Sequence, residues 1–264
     1  MDNLNIFDRL IRGVKRGNSP LAAWAKKCLR GLDSPVVPPL PRFLLAVLRP
    51  VYEAHFLAIM ACRWALTVFY RNPVFQARCA SFGRNVVLDG KLPYVTGHVQ
   101  IHIGDGVYIG GNLSVASGRV LDEPKLIVKD RCILSWNLML AVSREIVIEE
   151  DVRIAHDCRI SDTDGHPREA DLRRSNLPPD PKDIRPVRIC RDAWIGNGSH
   201  IMKGVTVGEG AVIGANSVVI ADVPPYSLAM GNPAEVIIRN FGLPSTLRKN
   251  RRAAADSPAA PAGS

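Results

Sequence analysis

A six-residue repeat is the feature that most limits how this chain can fold. Branched aliphatic residues occupy every sixth position in one unbroken series: Ile189, Ile195, Ile201, Val207, Ile213 and Val219. This period is neither the roughly 3.6 residues of a helix nor the simple alternation of a long strand: a single helix would not keep these side chains on one side, and a single strand would have to run from Ile189 to Val219. Short strands separated by regular corners fit this period, which predicts a stacked parallel β-helix.

The same step occurs upstream in shorter series. These series are Ile103, Ile109 and Val115; Val128, Leu134 and Leu140; and Ile148, Ile154 and Ile160. Glycine follows several of these residues and permits a tight corner that a larger side chain would obstruct. The six-residue spacing is interrupted by a few residues between Val115 and Val128 and between Leu140 and Ile148. A much longer interruption lies between Ile160 and Ile189. A loop this long, leaving a regular scaffold, is typical of a functional or a disordered segment.

The chain is predicted to contain three regions. Residues 1–75 are expected to be helical and residues 76–241 to form the β-helix domain. Residues 242–264 are basic at first and then rich in alanine and proline, which predicts a disordered tail. The expected fold class is therefore mainly β, with an α-helical N-terminal extension.

The segment from Phe43 to Tyr70 is the most apolar part of the chain. Arg49, Glu53 and Arg63 divide it into pieces shorter than the roughly 20 apolar residues of a membrane-spanning helix. A span is therefore not expected. Two interpretations stay open: a helical hairpin packed on the rest of the protein, or a basic amphipathic element in peripheral contact with a membrane surface.

Composition narrows the partners and the compartment. The net charge of +9 favours a ligand or surface that carries anions. Nucleic acid is not expected, because basic and aromatic residues do not alternate on a recognisable module. Charged residues interrupt the N-terminal apolar stretch, so no secretory signal is expected. The six cysteines form no C-x-x-C pair, and we expect reduced thiols in a cytoplasmic protein, with contact at the inner face of the membrane left open.

Three motifs resemble those of the hexapeptide-repeat acyltransferases: DTDGHP at residues 162–167, DAWIGNGSHIMKG at residues 192–204 and GNP at residues 231–233. The resemblance covers about residues 83–241. It points to the branch that contains maltose and galactoside O-acetyltransferases and the acetyltransferases of polysaccharide synthesis. It implies a left-handed parallel β-helix, a homotrimer with active sites between neighbouring β-helices, and acetyl transfer from acetyl-coenzyme A (acetyl-CoA) to a hydroxyl of a sugar, glycan or lipid-linked saccharide.

The resemblance also implies catalytic roles. His166 matches the general base of the family, and an imidazole suits that role because it accepts a proton near neutral pH. Asp164, together with Asp162, is predicted to orient the ring through its other nitrogen or to bind acceptor hydroxyls, although both could equally be turn residues. Asn137 is the candidate donor to the developing oxyanion, while the repeat spacing places Ser135 nearer the family position. A buried asparagine ladder is the structural alternative for Asn137.

Several residues are predicted to contact coenzyme A (CoA). Trp194 matches an aromatic residue that lies beside the acyl group and pantetheine arm in relatives. The other predicted contacts are Gly196, Asn197, Lys203, Gly214 and Ala215. Tight corners also require small residues at four of these positions, so their presence does not separate binding from architecture.

The chain departs from the family where relatives hold the nucleotide phosphates. Ile220-Ala221 stands in place of a Thr-Lys pair, and Glu235 stands in place of a basic residue. Lys203, Arg239 or the basic tail are the candidates to replace them.

Two other functions are weighed against acetyl transfer. A zinc carbonic anhydrase of the same architecture needs three side chains to converge on the metal, and the separation of the histidines along the chain argues against it. No metal is therefore expected. A non-catalytic scaffold would explain the missing Thr-Lys pair but not the DTDGHP loop.

Overall fold

The computed structural model describes residues 40–118 and 120–241. The helices predicted before residue 40 and the tail predicted after residue 241 lie outside the described residues. The chain divides into two compact units, Met1–Met60 and Ala61–Ser264.

A continuous helical segment runs from Arg42 to Arg78. It consists of α1 (Arg42–Leu66), a π-helical turn (Thr67–Arg71) and α2 (Asn72–Arg78). No residue of α1 is buried. An 18-residue window of the segment has a mean hydropathy of 1.5, so length and composition alone would allow it to cross a membrane.

The hairpin interpretation of residues 43–70 is wrong, because the segment continues as helix without reversing. Arg49 and Glu53 do not interrupt it, since residues four apart share one side of a helix. Pro50 lies inside α1 and does not end it.

The second unit is closed at its N-terminal end by α2. Phe75 is 1% exposed and belongs to the hydrophobic core of the β-helix. Its ring packs edge-on against Phe82, with centroids 6.0 Å apart. A solenoid exposes apolar side chains at its ends unless something covers them, and α2 provides that cover.

In the described part of the chain, twenty strands form three sheets that run the length of the β-helix. Sheet 1 contains β1 (Ser81–Phe82), β4 (Gln100–Ile103), β7 (Lys125–Val128), β10 (Glu145–Ile148), β13 (Val187–Ile189) and β16 (Thr206–Val207). Sheet 2 contains β2 (Val87–Gly90), β5 (Tyr108–Gly111), β8 (Ile133–Leu134), β11 (Arg153–Ile154), β14 (Trp194–Ile195), β17 (Val212–Ile213), β19 (Ser227–Gly231) and β20 (Ala234–Arg239). Sheet 3 contains β3 (Tyr94–Thr96), β6 (Leu113–Ala116), β9 (Leu138–Ala141), β12 (Arg159–Ser161), β15 (His200–Ile201) and β18 (Val218–Val219). All neighbours pair in parallel except β19 and β20, an antiparallel hairpin that ends the solenoid.

The six-residue series explains this arrangement. Its members fall in turn on sheets 1, 2 and 3, so each complete circuit returns to the sheet where it began. In sheet 1 the register stacks Ile103, Val128, Ile148, Ile189 and Val207 directly above one another. Every member of the predicted series is at most 3% exposed. The chain is the predicted left-handed parallel β-helix.

The corners between sheets form three edges, named edge 1–2, edge 2–3 and edge 3–1 after the sheets they join. Many corner residues have a positive φ, which asparagine, aspartate and glycine adopt at the lowest cost. Asn85, Asn137, Asp157, Asp192 and Asn216 are examples, with φ between 57° and 60°. The preference for asparagine, aspartate and glycine at the corners therefore follows from the local backbone conformation.

Edge 1–2 carries ion pairs that connect successive coils. Three of them, at 2.7 to 3.0 Å, are Arg84–Asp105, Arg131–Asp151 and Arg191–Glu209. Hydrogen bonding by Arg131 lowers the pKa of Asp151, and hydrogen bonding by Tyr226 lowers that of Glu209. The charges of this edge therefore satisfy one another at the protein surface.

The cysteines among the described residues are free thiols. Burial raises the pKa of Cys79 to about 11 and that of Cys132 to about 12. Both thiols are therefore protonated at neutral pH and behave as small apolar side chains.

Candidate functional site

The long loop of residues 162–186 leaves the β-helix at edge 3–1, between β12 and β13. Asp162 builds its base and is 0% exposed. Its carboxylate accepts hydrogen bonds of 2.6 to 2.8 Å from the backbone N–H groups of Ser143, Arg144 and Glu145. Its carbonyl accepts the N–H of Arg185 at 2.9 Å. One residue therefore ties both ends of the loop to the β-helix.

Two effects act on the Asp162 carboxyl in opposite directions. Burial raises its pKa and is the larger effect, while the backbone N–H donors favour the charged form and lower it. The net result is a pKa above the ordinary value. A carboxyl in this setting is a structural acceptor, and its oxygens already have partners.

A second anchor joins the loop to the following coil. Lys203 Nζ lies 2.5 Å from Asp164 Oδ2, and Lys203 is only 7% exposed. The Arg168 guanidinium lies 4.0 Å from the same carboxylate, and it also lies 3.6 Å from the carboxylate of Asp183. A nearly buried ammonium needs such a partner because desolvation is costly. Asp164 is thus paired with Lys203, while its predicted role in orienting His166 stays a prediction.

His166 lies beyond this anchor and is exposed. Within residues 40–118 and 120–241, its ring has neither a hydrogen bond nor an ion pair. The turn before it is held locally, by a hydrogen bond of 3.1 Å from Gly165 N–H to Thr163 Oγ1. Pro167, which follows it, is buried. The ring, between a fixed turn and a buried proline, is therefore accessible to a bound molecule.

Trp194 lies on the outer side of sheet 2 and is 53% exposed. In the sheet register it stands between Arg153 on the preceding coil and Val212 on the following one. The sequence interpretation missed Arg153. The repeat contained the signal, because Arg153 precedes Ile154 just as Trp194 precedes Ile195.

The small residues predicted to meet CoA line edge 2–3. A Cβ added to Gly196 would lie 2.7 Å from the backbone nitrogen of Ala215, and one added to Gly214 would lie 2.7 Å from Cβ of Met230. Stacking of the coils therefore requires glycine at both positions. Asn197 accepts a hydrogen bond of 3.3 Å from the backbone N–H of His156. CoA contact at these residues stays a prediction.

Asn137 is also at edge 2–3, with φ 59°. Its side chain accepts a hydrogen bond from Asn112 at 3.0 Å and donates one to Asp157 at 2.9 Å. This is a ladder, as the structural alternative predicted, although it lies at the surface. Ser135 occupies the same corner, and β9 (Leu138–Ala141) separates both residues from edge 3–1.

The positions at which relatives hold phosphates carry no positive charge here. Ile220, Ala221 and Glu235 are exposed or partly exposed. Of the predicted substitutes, Lys203 is paired with Asp164, the tail lies outside the described residues, and Arg239 ends β20 opposite Ser227. Arg239 is the remaining described candidate.

No group of three or more His, Cys, Asp and Glu side chains that could hold a metal ion occurs in the described parts of the chain.

The part of the chain that matches a known protein family lies within the six-residue repeat. The family model for the bacterial transferase hexapeptide (six repeats) matches residues 186–221. The chain resembles that family over this segment. Its matched segment begins where the long loop rejoins the β-helix and includes Trp194, Gly196, Asn197, Lys203, Gly214 and Ala215.

Proteins that are similar to this chain are named as acetyltransferases. Rv3034c of Mycobacterium tuberculosis is 29% identical over 205 residues, which cover 72% of this chain and 66% of the relative. YJL218W of Saccharomyces cerevisiae is 35% identical over 125 residues, which cover 47% of this chain and 61% of the relative. The matched segments thus span less than two thirds of either relative.

A solved structure shows the same fold. The N-acyltransferase AntD of Bacillus cereus, in complex with dTDP and 3-hydroxybutyryl-CoA, superposes with a TM-score of 0.52 at 15% identity. The superposition covers 72% of this chain and 98% of AntD. This chain and AntD therefore share the β-helix fold.

Proposed function

We propose that the chain is an acetyltransferase that moves the acetyl group of acetyl-CoA to a hydroxyl of a sugar, a glycan or a lipid-linked saccharide. The observation that carries the proposal is the setting of His166, which is exposed and unpartnered among the described residues on a loop whose base is fixed. The names of the relatives in M. tuberculosis and S. cerevisiae support the same reaction class.

His166 acts as general base in this proposal. Its unprotonated ring nitrogen takes the proton of the acceptor hydroxyl while the hydroxyl oxygen bonds to the thioester carbonyl carbon. The carbonyl oxygen then carries negative charge. When the C–S bond breaks, the carbonyl re-forms and the sulfur leaves as a thiolate. The imidazolium returns its proton to that sulfur, which yields CoA, the O-acetyl product and a neutral His166 without a covalent enzyme intermediate.

Asn137 is the proposed donor to the oxyanion. An amide carries two N–H donors, and Asp157 uses one of them. The second can point at a developing negative charge, a contact that stabilises tetrahedral intermediates. The ladder then acts as a support that fixes the orientation of the amide.

The proposal requires a homotrimer. In a single chain the His166 loop leaves at edge 3–1, whereas Trp194 lies on sheet 2 and the small residues lie at edge 2–3. Sheet 3 separates these two edges. A neighbouring copy that places its edge 2–3 against the loop would bring donor and base together, so each site would need residues from two chains.

Calorimetric binding of acetyl-CoA to the full chain tests the donor. We expect binding that weakens in Trp194→Ala and not in Trp64→Ala, a matched loss of an exposed tryptophan from α1. Absence of donor binding would contradict the proposal and favour a non-catalytic scaffold.

Release of the CoA thiol in the presence of saccharide acceptors tests the base. We expect His166→Ala to lower kcat by about 10²- to 10⁴-fold with donor affinity retained. His102→Ala, on the outer side of sheet 1, is the matched control and should retain activity. Turnover of amine acceptors alone would overturn the hydroxyl assignment.

A further inference from the structure

The helix α1 presents an apolar surface along its whole length. Leu44, Val47, Val51, Ile59 and Leu66 share one side of the helix and are each at least 38% exposed, and no residue of α1 is buried. Contiguous apolar surface of this extent is unusual in water and marks a binding surface.

The charged residues of α1 share one side of the helix. Arg49 and Glu53 follow Arg42 by about two and three turns, so the three form a stripe. Val47 and Val51 each lie two residues from Arg49, which is about 200° around the helix at about 100° per residue. The charged stripe and the valines therefore face opposite sides.

A contact of Arg63, near the end of α1, disfavours a helix that crosses a bilayer. Arg63 Nη2 lies 2.7 Å from Asp89 Oδ1 on β2, and both side chains are at least 42% exposed. A bilayer core that contained Arg63 would also have to contain this β-helix carboxylate. A span restricted to residues 42–62 would place Arg49 and Glu53 near its middle, where charges are costly.

We propose that α1 lies in the surface of an anionic lipid bilayer, with Val47 and Val51 inserted and the stripe of Arg42, Arg49 and Glu53 facing water. The charge of the segment fits this partner: residues 42–78 contain five arginines and one acidic residue, Glu53. Basic residues near anionic lipid strengthen such binding, and the cytoplasmic leaflet is a surface of this kind. The proposal is independent of the proposed transferase activity.

Vesicle flotation of the full chain tests the proposal. We expect the protein to float with vesicles of phosphatidylcholine and phosphatidylglycerol and to float less with phosphatidylcholine alone. The double variant Val47→Glu/Val51→Glu should lower partitioning by about tenfold or more, because two apolar side chains no longer leave water. Glutamate is a good helix former, so circular dichroism should be unchanged.

The matched control is Leu45→Glu/Met60→Glu. These residues lie four before Arg49 and seven after Glu53, on the charged stripe, and adding the same two charges there should lower partitioning by less than about threefold. Equal loss in both variants, or no flotation of the wild type, would overturn the proposal. So would a change of oligomeric mass in Val47→Glu/Val51→Glu with flotation retained, since the apolar side would then contact a second copy. Binding that resists alkaline carbonate would indicate a span instead.

Discussion

Edge 1–2 and edge 3–1 are corners of the same repeat, yet they treat charged groups in opposite ways. Along edge 1–2, guanidinium groups and carboxylates pair from coil to coil at the surface, as Arg131 does with Asp151. At edge 3–1, the chain buries Asp162 and most of Lys203, and both hold the long loop. Surface pairs add little to stability, whereas buried ones fix geometry. Edge 1–2 therefore belongs to the scaffold, and edge 3–1 holds the loop that carries the proposed base.

The largest effect is expected for Asp162→Ala. Three backbone N–H groups would lose their acceptor inside the protein, which should lower the free energy of unfolding by about 2–4 kcal/mol. The measurement is urea unfolding, with Asp151→Ala on edge 1–2 as the matched control. If the control loses as much stability as Asp162→Ala, the distinction between the two edges fails.

A smaller, asymmetric effect is expected at the Lys203–Asp164 pair. Asp164→Asn leaves a nearly buried ammonium without its charged partner and should cost about 1–3 kcal/mol. Lys203→Met removes the charge itself and should change stability by less than about 1 kcal/mol. Thermal unfolding of the two variants measures this difference. A larger loss in Lys203→Met would show that the ammonium does more than pair with Asp164.

The smallest effect is a difference in how the two edges respond to pH. Because burial raises the pKa of Asp162, its contribution to stability is complete below the ordinary value and is lost as pH rises through the raised value. The hydrogen bond from Arg131 lowers the pKa of Asp151, whose contribution is present above the ordinary value and is lost as pH falls through the lowered one.

Urea unfolding between about pH 3 and pH 7 measures whether the stabilising contributions of Asp162 and Asp151 change with pH in opposite directions. The deficit of Asp162→Asn relative to the wild type should be larger in acid, and that of Asp151→Asn should be larger at neutral pH. Parallel curves for the two variants would contradict the opposite assignments.

The β-helix was predictable because its rule is local. Each aliphatic residue at the sixth position needs only the next corner to reach its sheet, and the series from Ile189 to Val219 therefore predicts sheets, register and core together. The same rule located the loop, since the repeat simply stops at Ile160 and resumes at Ile189. The DTDGHP motif in this loop then indicates His166 as the candidate base.

The partners within the site were not predictable, because a loop of this length hides which residues it brings together. Nothing in the spacing indicates that Asp162 accepts three backbone hydrogen bonds or that Lys203 pairs with Asp164. The helix was misinterpreted for a different reason. Arg49 and Glu53 interrupt the apolar residues along the sequence, whereas on a helix the two share one side and leave the apolar side continuous.

The hydrogen bond between Arg185 N–H and the Asp162 carbonyl has an evolutionary consequence. Because the loop closes on itself at its base, its length and sequence can change without shifting the coils on either side. Lengthening a closed loop costs little, about 0.6 kcal/mol for each doubling. The part of the loop after Pro167 is thus an exchangeable module, and a lineage could acquire a new acceptor by replacing residues 168–183 while inheriting His166, Asp164 and the scaffold intact.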